Sequence, residues 1–233
     1  IMICNPNNPT GKVYGRDELR KIVNLAKKHN LYIFADEVYR EFIFNGEKHT
    51  SLMEFHEVKD HVVLMDSISK RFSACGSRIG AFISRNKDVM KAALAYAQAR
   101  LCPPTVEQLM AVPSVELGKD YFDHMVGEYK SRRDAVLEGL SQMKGVEYKV
   151  PNGAFYIVMK LPVQNAEDFI IWLLTEFSVD NETVMLAPAE GFYKTPGMGR
   201  NEARIAFVLN AQKTKKAMHI LKLGLEKYLT LQK

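Results

Sequence analysis

The 233-residue chain lacks any run of eighteen apolar residues, so no single apolar helix is expected to cross a bilayer. It shows no leader made of a basic, an apolar and a small-residue segment, and no signal peptide is read in it. Cysteine is scarce. Cys4, Cys75 and Cys102 stand far apart, without the spacing of a metal site, and an odd, sparse set does not make a disulfide framework. That usage suits a reducing compartment, and a cytoplasmic location is expected. No internal repeat and no low-complexity tract is present. Neither sign of charge dominates: 32 Lys and Arg stand against 27 Asp and Glu, a net +5. The basic residues fall mostly on helix faces, as in Lys21, Lys27 and Lys28 and again in Lys213, Lys215 and Lys216. Solvated faces explain them. They are not interleaved with aromatics as on a nucleic-acid surface, so neither nucleic acid nor membrane is expected as a partner.

What is present is ordinary globular composition, 47% hydrophobic and 25% charged, enough for one large core or two modest domains. The opening Ile1-Met2-Ile3-Cys4 reads as the end of a buried strand, and the expectation is that sequence preceding it is missing here. Residues 16–29 carry Leu19, Ile22, Val23 and Ala26 at helical spacing. Residues 31–35 and 62–65 are continuous apolar runs, which suggests strands buried on both faces in a parallel sheet covered by helices. A further strand is expected at 79–84, and a helix at 87–100 ended by Pro103-Pro104. Beyond the prolines, a long charged helix over 120–143 has Tyr121, Met125, Tyr129, Ala135, Val136 and Leu140 as inward positions. Shorter strands are expected at 146–150, 154–160, 183–186 and 203–209, with helices at 166–177 and 212–229. Pro151-Asn152-Gly153 marks a turn. A boundary near residue 118 separates a parallel α/β part, 1–118, from a smaller α+β part, 119–233.

Three segments carry chemistry. Asn5-Pro6-Asn7-Asn8-Pro9-Thr10-Gly11 follows the first apolar run, and its plain reading is a tight turn. Asp36-Glu37-Val38-Tyr39 follows the second run. A carboxylate at a strand's C-terminal end is where α/β sheets put ligand contacts, although a helix N-cap is equally ordinary there. Ser67-Ile68-Ser69-Lys70 follows the third run and precedes Gly76, Arg78 and Gly80. Two hydroxyls, a lysine and an arginine suit an anion such as a phosphate, and a polar loop is the plain reading.

Taken together, in this order, the three segments resemble the class I and II aminotransferases of the fold-type I pyridoxal-phosphate family. The resemblance runs from Asn5 to the last helix. It implies the C-terminal half of the large α/β domain, with its mostly parallel sheet, followed by most of a small α+β domain. It also implies the cofactor, pyridoxal 5'-phosphate. By resemblance Asp36 faces the pyridine nitrogen and favours its protonation, while Asn8 and Tyr39 hydrogen-bond the phenolic oxygen. Lys70 forms the Schiff base with the cofactor and later moves the substrate proton. Ser67 and Arg78 hold the phosphate, with Ser69 a weaker candidate. Asn201-Glu202-Ala203-Arg204-Ile205-Ala206-Phe207 resembles the late strand whose arginine pairs with the substrate α-carboxylate, a task for a planar fork. Without the family, Arg204 reads as an exposed strand arginine. Phe155 is better read as core than as pocket lining, and Ala187-Pro188-Ala189-Glu190-Gly191-Phe192 resembles the loop before the carboxylate-binding strand.

The implied reaction is amino transfer between an α-amino acid and a 2-oxo acid, in a homodimer. Aspartate is the first expectation. Arg100 is a candidate for its second carboxylate, although a solvated helix-end arginine is the plainer reading. The family's phosphate-cradling loop, ring-stacking aromatic and N-terminal arm would precede Ile1, so the chain alone is expected to be an incomplete, inactive fragment. Two alternatives stay open: a pyridoxal-phosphate lyase on the same scaffold, and the aminotransferase-like effector domain of a transcriptional regulator.

Overall fold

The computed structural model describes residues 1–232, in two compact units. The first comprises Ile1–Asn8, Lys12–Val126 and Asn152–Ala154; the second comprises Pro9–Gly11, Gly127–Pro151 and the chain from Phe155 on.

In the first unit, β1 (Met2–Cys4), α1 (Arg16–His29), β2 (Ile33–Asp36) and β3 (Val62–Ser67) form two successive parallel pairings. The four-residue helix α2 (Ile68–Arg71) leads to β4 (Gly80–Ser84), which pairs antiparallel with β3. The sheet order is β1-β2-β3-β4. Helices α3 (Lys87–Arg100), α4 (Thr105–Ala111) and the start of α5 (Lys119–Leu140) follow. The division between the units falls within α5, after Val126.

Helix α1 forms where the spacing predicts it. Asp17 and Glu18 in its first turn and Lys27, Lys28 and His29 in its last complement the helix dipole, and Asn30 ends it in the left-handed conformation. Leu19, Val23 and Ala26 present one apolar stripe to the sheet. With Ile3, Ile33, Ala35, Val62, Leu64, Leu52, Phe55 and Val58 they make the core. Only part of the sheet is buried on both faces, contrary to the continuous-run expectation. In β3, Val62, Val63 and Leu64 are all buried, whereas β2 alternates: Ile33 and Ala35 face α1, and Phe34 is 41% exposed. One helix covers one face, and the apolar run in β2 conceals a period of two.

The second unit holds a four-stranded antiparallel sheet of order β5-β6-β8-β7. Its elements are β5 (Glu147–Tyr148), β6 (Tyr156–Lys160), α6 (Ala166–Thr175), β7 (Ala187–Pro188), β8 (Glu202–Ala206) and α7 (Ala211–Leu231). Asn165 and Asn210 cap α6 and α7 through their side-chain oxygens. Phe169, Trp172, Phe177 and Tyr228 pack ring against ring between these helices. The strand expected at 183–186 does not form. Asp180 and Asn181 turn the backbone left-handed, Met185 is 80% exposed, and pairing begins only where Ala187 meets Arg204. The strand expected at 146–150 is shortened to Glu147–Tyr148, and Val150 points to solvent. Among the described residues no helix is long and apolar enough to cross a membrane.

Candidate active site

The site is built at the C-terminal ends of the parallel strands. In register, Cys4 stands beside Asp36, and Asp36 beside Met65. Asp36 shares a strand face with exposed Phe34, on the side of the sheet away from α1. One carboxylate oxygen of Asp36 accepts from the Val38 N–H at 3.2 Å. The Cys4 thiol joins the first two motifs. It donates to the Pro6 carbonyl at 3.2 Å and meets both the Asn8 backbone N–H and the Asp36 carboxylate. Burial, with Asp36 reinforcing it, pushes this thiol up to about 11.

Tyr39 and Lys70 lie together. The Lys70 Nζ is 5.9 Å from the Tyr39 ring centre, and Tyr39 is 3% exposed, packed edge-on against Phe42. Lys70 is carried by α2, too short for its amphipathicity to be read, and held by its cap. The Ser67 Oγ accepts from the Ser69 N–H at 3.1 Å, donates to the Ile79 carbonyl at 2.9 Å and lies 2.8 Å from the Ser69 Oγ. Both hydroxyls of this motif therefore sit at the start of α2, tied to the residue that follows Arg78. Arg78 itself is exposed, in a left-handed backbone conformation, with its Nη1 on the Cys75 carbonyl at 2.9 Å.

Arg204 belongs to the second unit. It stands mid-strand in β8 between β6 and β7, half-buried, so the exposed-arginine reading does not describe it. Its guanidinium lies 4.5 Å from the Tyr156 ring centre and 5.1 Å from that of Phe192. The loop at 187–192 thus supplies one wall of the arginine's surroundings, and both rings lie within cation–π range of the guanidinium. Phe155 is core, stacked on Tyr129 at 5.4 Å. Arg100 is an exposed helix-end residue of α3.

Sequence reasoning passed over Glu37. It is 2% exposed, next in sequence to Asp36, and accepts from Ser51 Oγ at 3.0 Å and the Leu52 N–H at 2.9 Å. Burial pushes its carboxyl up to about 7. His49, held down by the same desolvation, lies 3.8 Å away with its Nε2 3.1 Å from the Asn5 carbonyl. The alternation Ile33, Ala35, Glu37 was the available signal, since it puts Glu37 on the α1 face and Asp36 on the other.

The donor set is compatible with a phosphorylated aromatic cofactor that carries a carbonyl. A carboxylate, a phenol and a primary amine stand at adjacent strand ends, with two hydroxyls at the start of α2 and the Arg78 guanidinium on the loop that leads to β4. They match a ligand with a protonatable ring nitrogen, an acidic ring oxygen, a carbonyl and a phosphate.

Known proteins of this build are fold-type I transferases. A solved aspartate aminotransferase from Thermotoga maritima superposes with a TM-score of 0.82 at 32% identity, over 97% of this chain and 56% of that one. An alanine aminotransferase from Pyrococcus furiosus does so with 0.83 at 29%, over 97% and 57%. A curated aspartate aminotransferase from Thermotoga maritima is 33% identical over 218 residues, which are 94% of this chain and 54% of that protein. The family model for aminotransferase class I and II matches residues 1–221, and the chain belongs to that family. It spans about half the length of the curated relatives it matches.

Proposed function

We propose that this chain is the lysine-bearing part of a pyridoxal-phosphate-dependent aminotransferase. It would move an amino group between an α-amino acid, aspartate first, and a 2-oxo acid. Cytoplasmic location and homodimeric assembly belong to the same proposal. The observation that carries it is the meeting of Lys70 with Tyr39 beside Asp36, at the ends of parallel strands. The aspartate relatives at about 30% identity support the substrate.

When bound, pyridoxal phosphate supplies an electron sink for the charge left on the substrate α-carbon. Asp36 holds a proton on the ring nitrogen, because a nearby carboxylate favours the cationic form. Tyr39 and Asn8 orient the ring through its oxygen. Ser67 and Arg78 hold the phosphate, as hydroxyl and guanidinium. The Lys70 amine would hold the cofactor's carbonyl carbon and, as a free amine, would move the proton at the substrate α-carbon. Arg204 pairs in bidentate fashion with the α-carboxylate.

The test uses the protein at its natural length. Lys70→Ala should abolish the borohydride-reducible link to the cofactor and nearly all transamination of aspartate with 2-oxoglutarate. A variant that kept the reducible link would assign the anchor to another lysine.

A further inference from the structure

Lys70 and Tyr39 are each followed by an arginine, and these two arginines meet in one ring of charges. Arg71 pairs with Asp66 through its Nη2 and lies 3.7 Å from Glu41 through its Nη1. Arg40 pairs with the same two acids, at 3.3 Å to Asp66 and 3.2 Å to Glu41. Charge alternates around the circuit Arg71, Asp66, Arg40, Glu41, and each acid bridges both arginines. The Arg71–Asp66 half of the ring is withdrawn from solvent, with side chains 9% and 14% exposed, while Arg40 and Glu41 stand at its rim, 35% and 29% exposed. The Arg71–Asp66 pair is sheltered enough to be screened little by salt.

The ring joins three pieces of backbone. Asp66 is in β3, on the strand face of Val62 and Leu64. Arg71 ends α2, one residue after Lys70, and Arg40 and Glu41 follow Tyr39 directly. Arg71 is gripped at its backbone as well, since its carbonyl accepts from the Tyr121 hydroxyl at 3.1 Å. Phe72 beside it packs on Tyr121 and Phe122. A helix of four residues has almost no rigidity of its own. Something outside α2 must fix where it holds Lys70, and the ring is placed to do so.

We propose that Arg71 is a positioning residue: with Asp66, Arg40 and Glu41 it sets the spacing between Lys70 and Tyr39, and through it the geometry of the cofactor lysine. This rests on the proposed function. The ring acts through the residue before each arginine, Lys70 before Arg71 and Tyr39 before Arg40. Reacting groups misplaced by about an ångström lose rate by up to about a hundredfold. The predicted signature is therefore a turnover defect with intact loading.

The experiment compares Arg71→Met, Arg71→Lys and Glu41→Gln in the protein at its natural length, loaded with pyridoxal phosphate. Borohydride trapping and mass spectrometry first establish that wild-type Lys70 carries the cofactor. If it does not, the proposed function fails, and this inference with it, before any ring variant is made. With Lys70 labelled, Arg71→Met should trap cofactor to the wild-type extent and lower kcat by about ten- to hundredfold, with KM changed less than about threefold. The visible circular dichroism of the bound cofactor should change, because it reports the asymmetry of the lysine's surroundings. Glu41→Gln should move both readouts the same way by less, and Arg71→Lys should recover most of the loss. Should Arg71→Met fail to fold, Glu41→Gln decides alone. Unchanged kcat and dichroism in the ring variants would overturn the inference. So would equal losses in Arg71→Lys and Arg71→Met with an unchanged dichroism band.

Discussion

The Nζ of Lys70 lies 5.9 Å from the centre of the Tyr39 ring, although 31 positions separate the two in the chain. The parallel pairing of β2 with β3 makes the meeting possible, because it brings the ends of both strands to one edge. A lysine and a phenol so close, with Asp36 two residues past Phe34 on the same strand face, give the proposed cofactor site its polar wall.

Tyr39 tests that wall. Tyr39→Phe keeps the buried ring and removes only the hydroxyl. Cofactor should still load on Lys70, while kcat should fall by about ten- to hundredfold. Stopped-flow and steady-state assays of the complete protein measure this. Turnover equal to wild type would remove Tyr39 from the site.

Arg204 is expected to act on substrate alone. Arg204→Lys keeps the charge and loses both the planar fork and its fit between Tyr156 and Phe192. KM for amino acid and oxo acid should rise by about ten- to hundredfold, the range that a charge-assisted bidentate pair spans. The absorbance spectrum of the bound cofactor should not move. Unchanged KM would leave Arg204 a structural strand residue.

Glu37 makes a prediction about pH. Its folded carboxyl is pushed up to about 7 by burial from an ordinary value of 4.5. The folded state therefore holds a proton that the unfolded state releases. The associated stability is fully present below 4.5 and is lost as pH rises through about 7. Arg40 opposes the shift and Asp66 reinforces it. His49, whose imidazole is pushed down, acts in the opposite sense with pH, so the comparison is made against Glu37→Gln and not along the wild-type curve alone. The wild type should lose about 1–3 kcal/mol more than Glu37→Gln between pH 5 and pH 8, in urea denaturation. Equal losses would show that Glu37 is ionised at no special cost.

Gly153 is a steric prediction. A Cβ there would stand 2.7 Å from the Phe42 carbonyl oxygen and from Val13 Cγ2, and 2.8 Å from Pro6 Cβ. Two of these neighbours are a backbone atom and a proline ring, which yield little. Gly153→Ala should cost about 1–3 kcal/mol by overpacking, seen as a lowered urea midpoint. An unmoved midpoint would mean that the turn shifts freely.

How much of this was legible in the sequence depends on the length scale of each signal. Helix α1 was read to the residue, because Leu19, Val23 and Ala26 repeat over several turns. The strand ends bearing Asp36 and Ser67 were legible from apolar runs followed at once by polar groups. The family resemblance added roles that no periodicity carries. Helix α2 was not legible, since four residues hold barely one turn. The antiparallel direction of β4 was hidden as well, because composition does not record which way a strand runs. Glu37 was missed beside Asp36, although alternation along β2 separates the two carboxylates onto opposite faces. The salt-bridged ring was beyond reach, because its four members come from three segments that only the folded sheet edge assembles.

The turn at Asn152–Ala154 gives the first unit a late dependence. Phe44 donates to the Asn152 carbonyl at 2.9 Å, Ala154 donates to the Phe42 carbonyl at 3.0 Å, and Gly153 bridges Ile43. On the ribosome, the strands bearing Asp36 and Ser67 emerge well before these partners. The intervening stretch Gly127–Pro151 takes about one to five seconds to make, at about 5–20 residues per second. Until then the carbonyl of Phe42 lacks the donor that Ala154 brings, and Pro6 and Val13 lack their glycine neighbour. A nascent chain arrested before residue 152 should therefore show the segment around Phe42 open to protease while β2 and β3 are already closed to it.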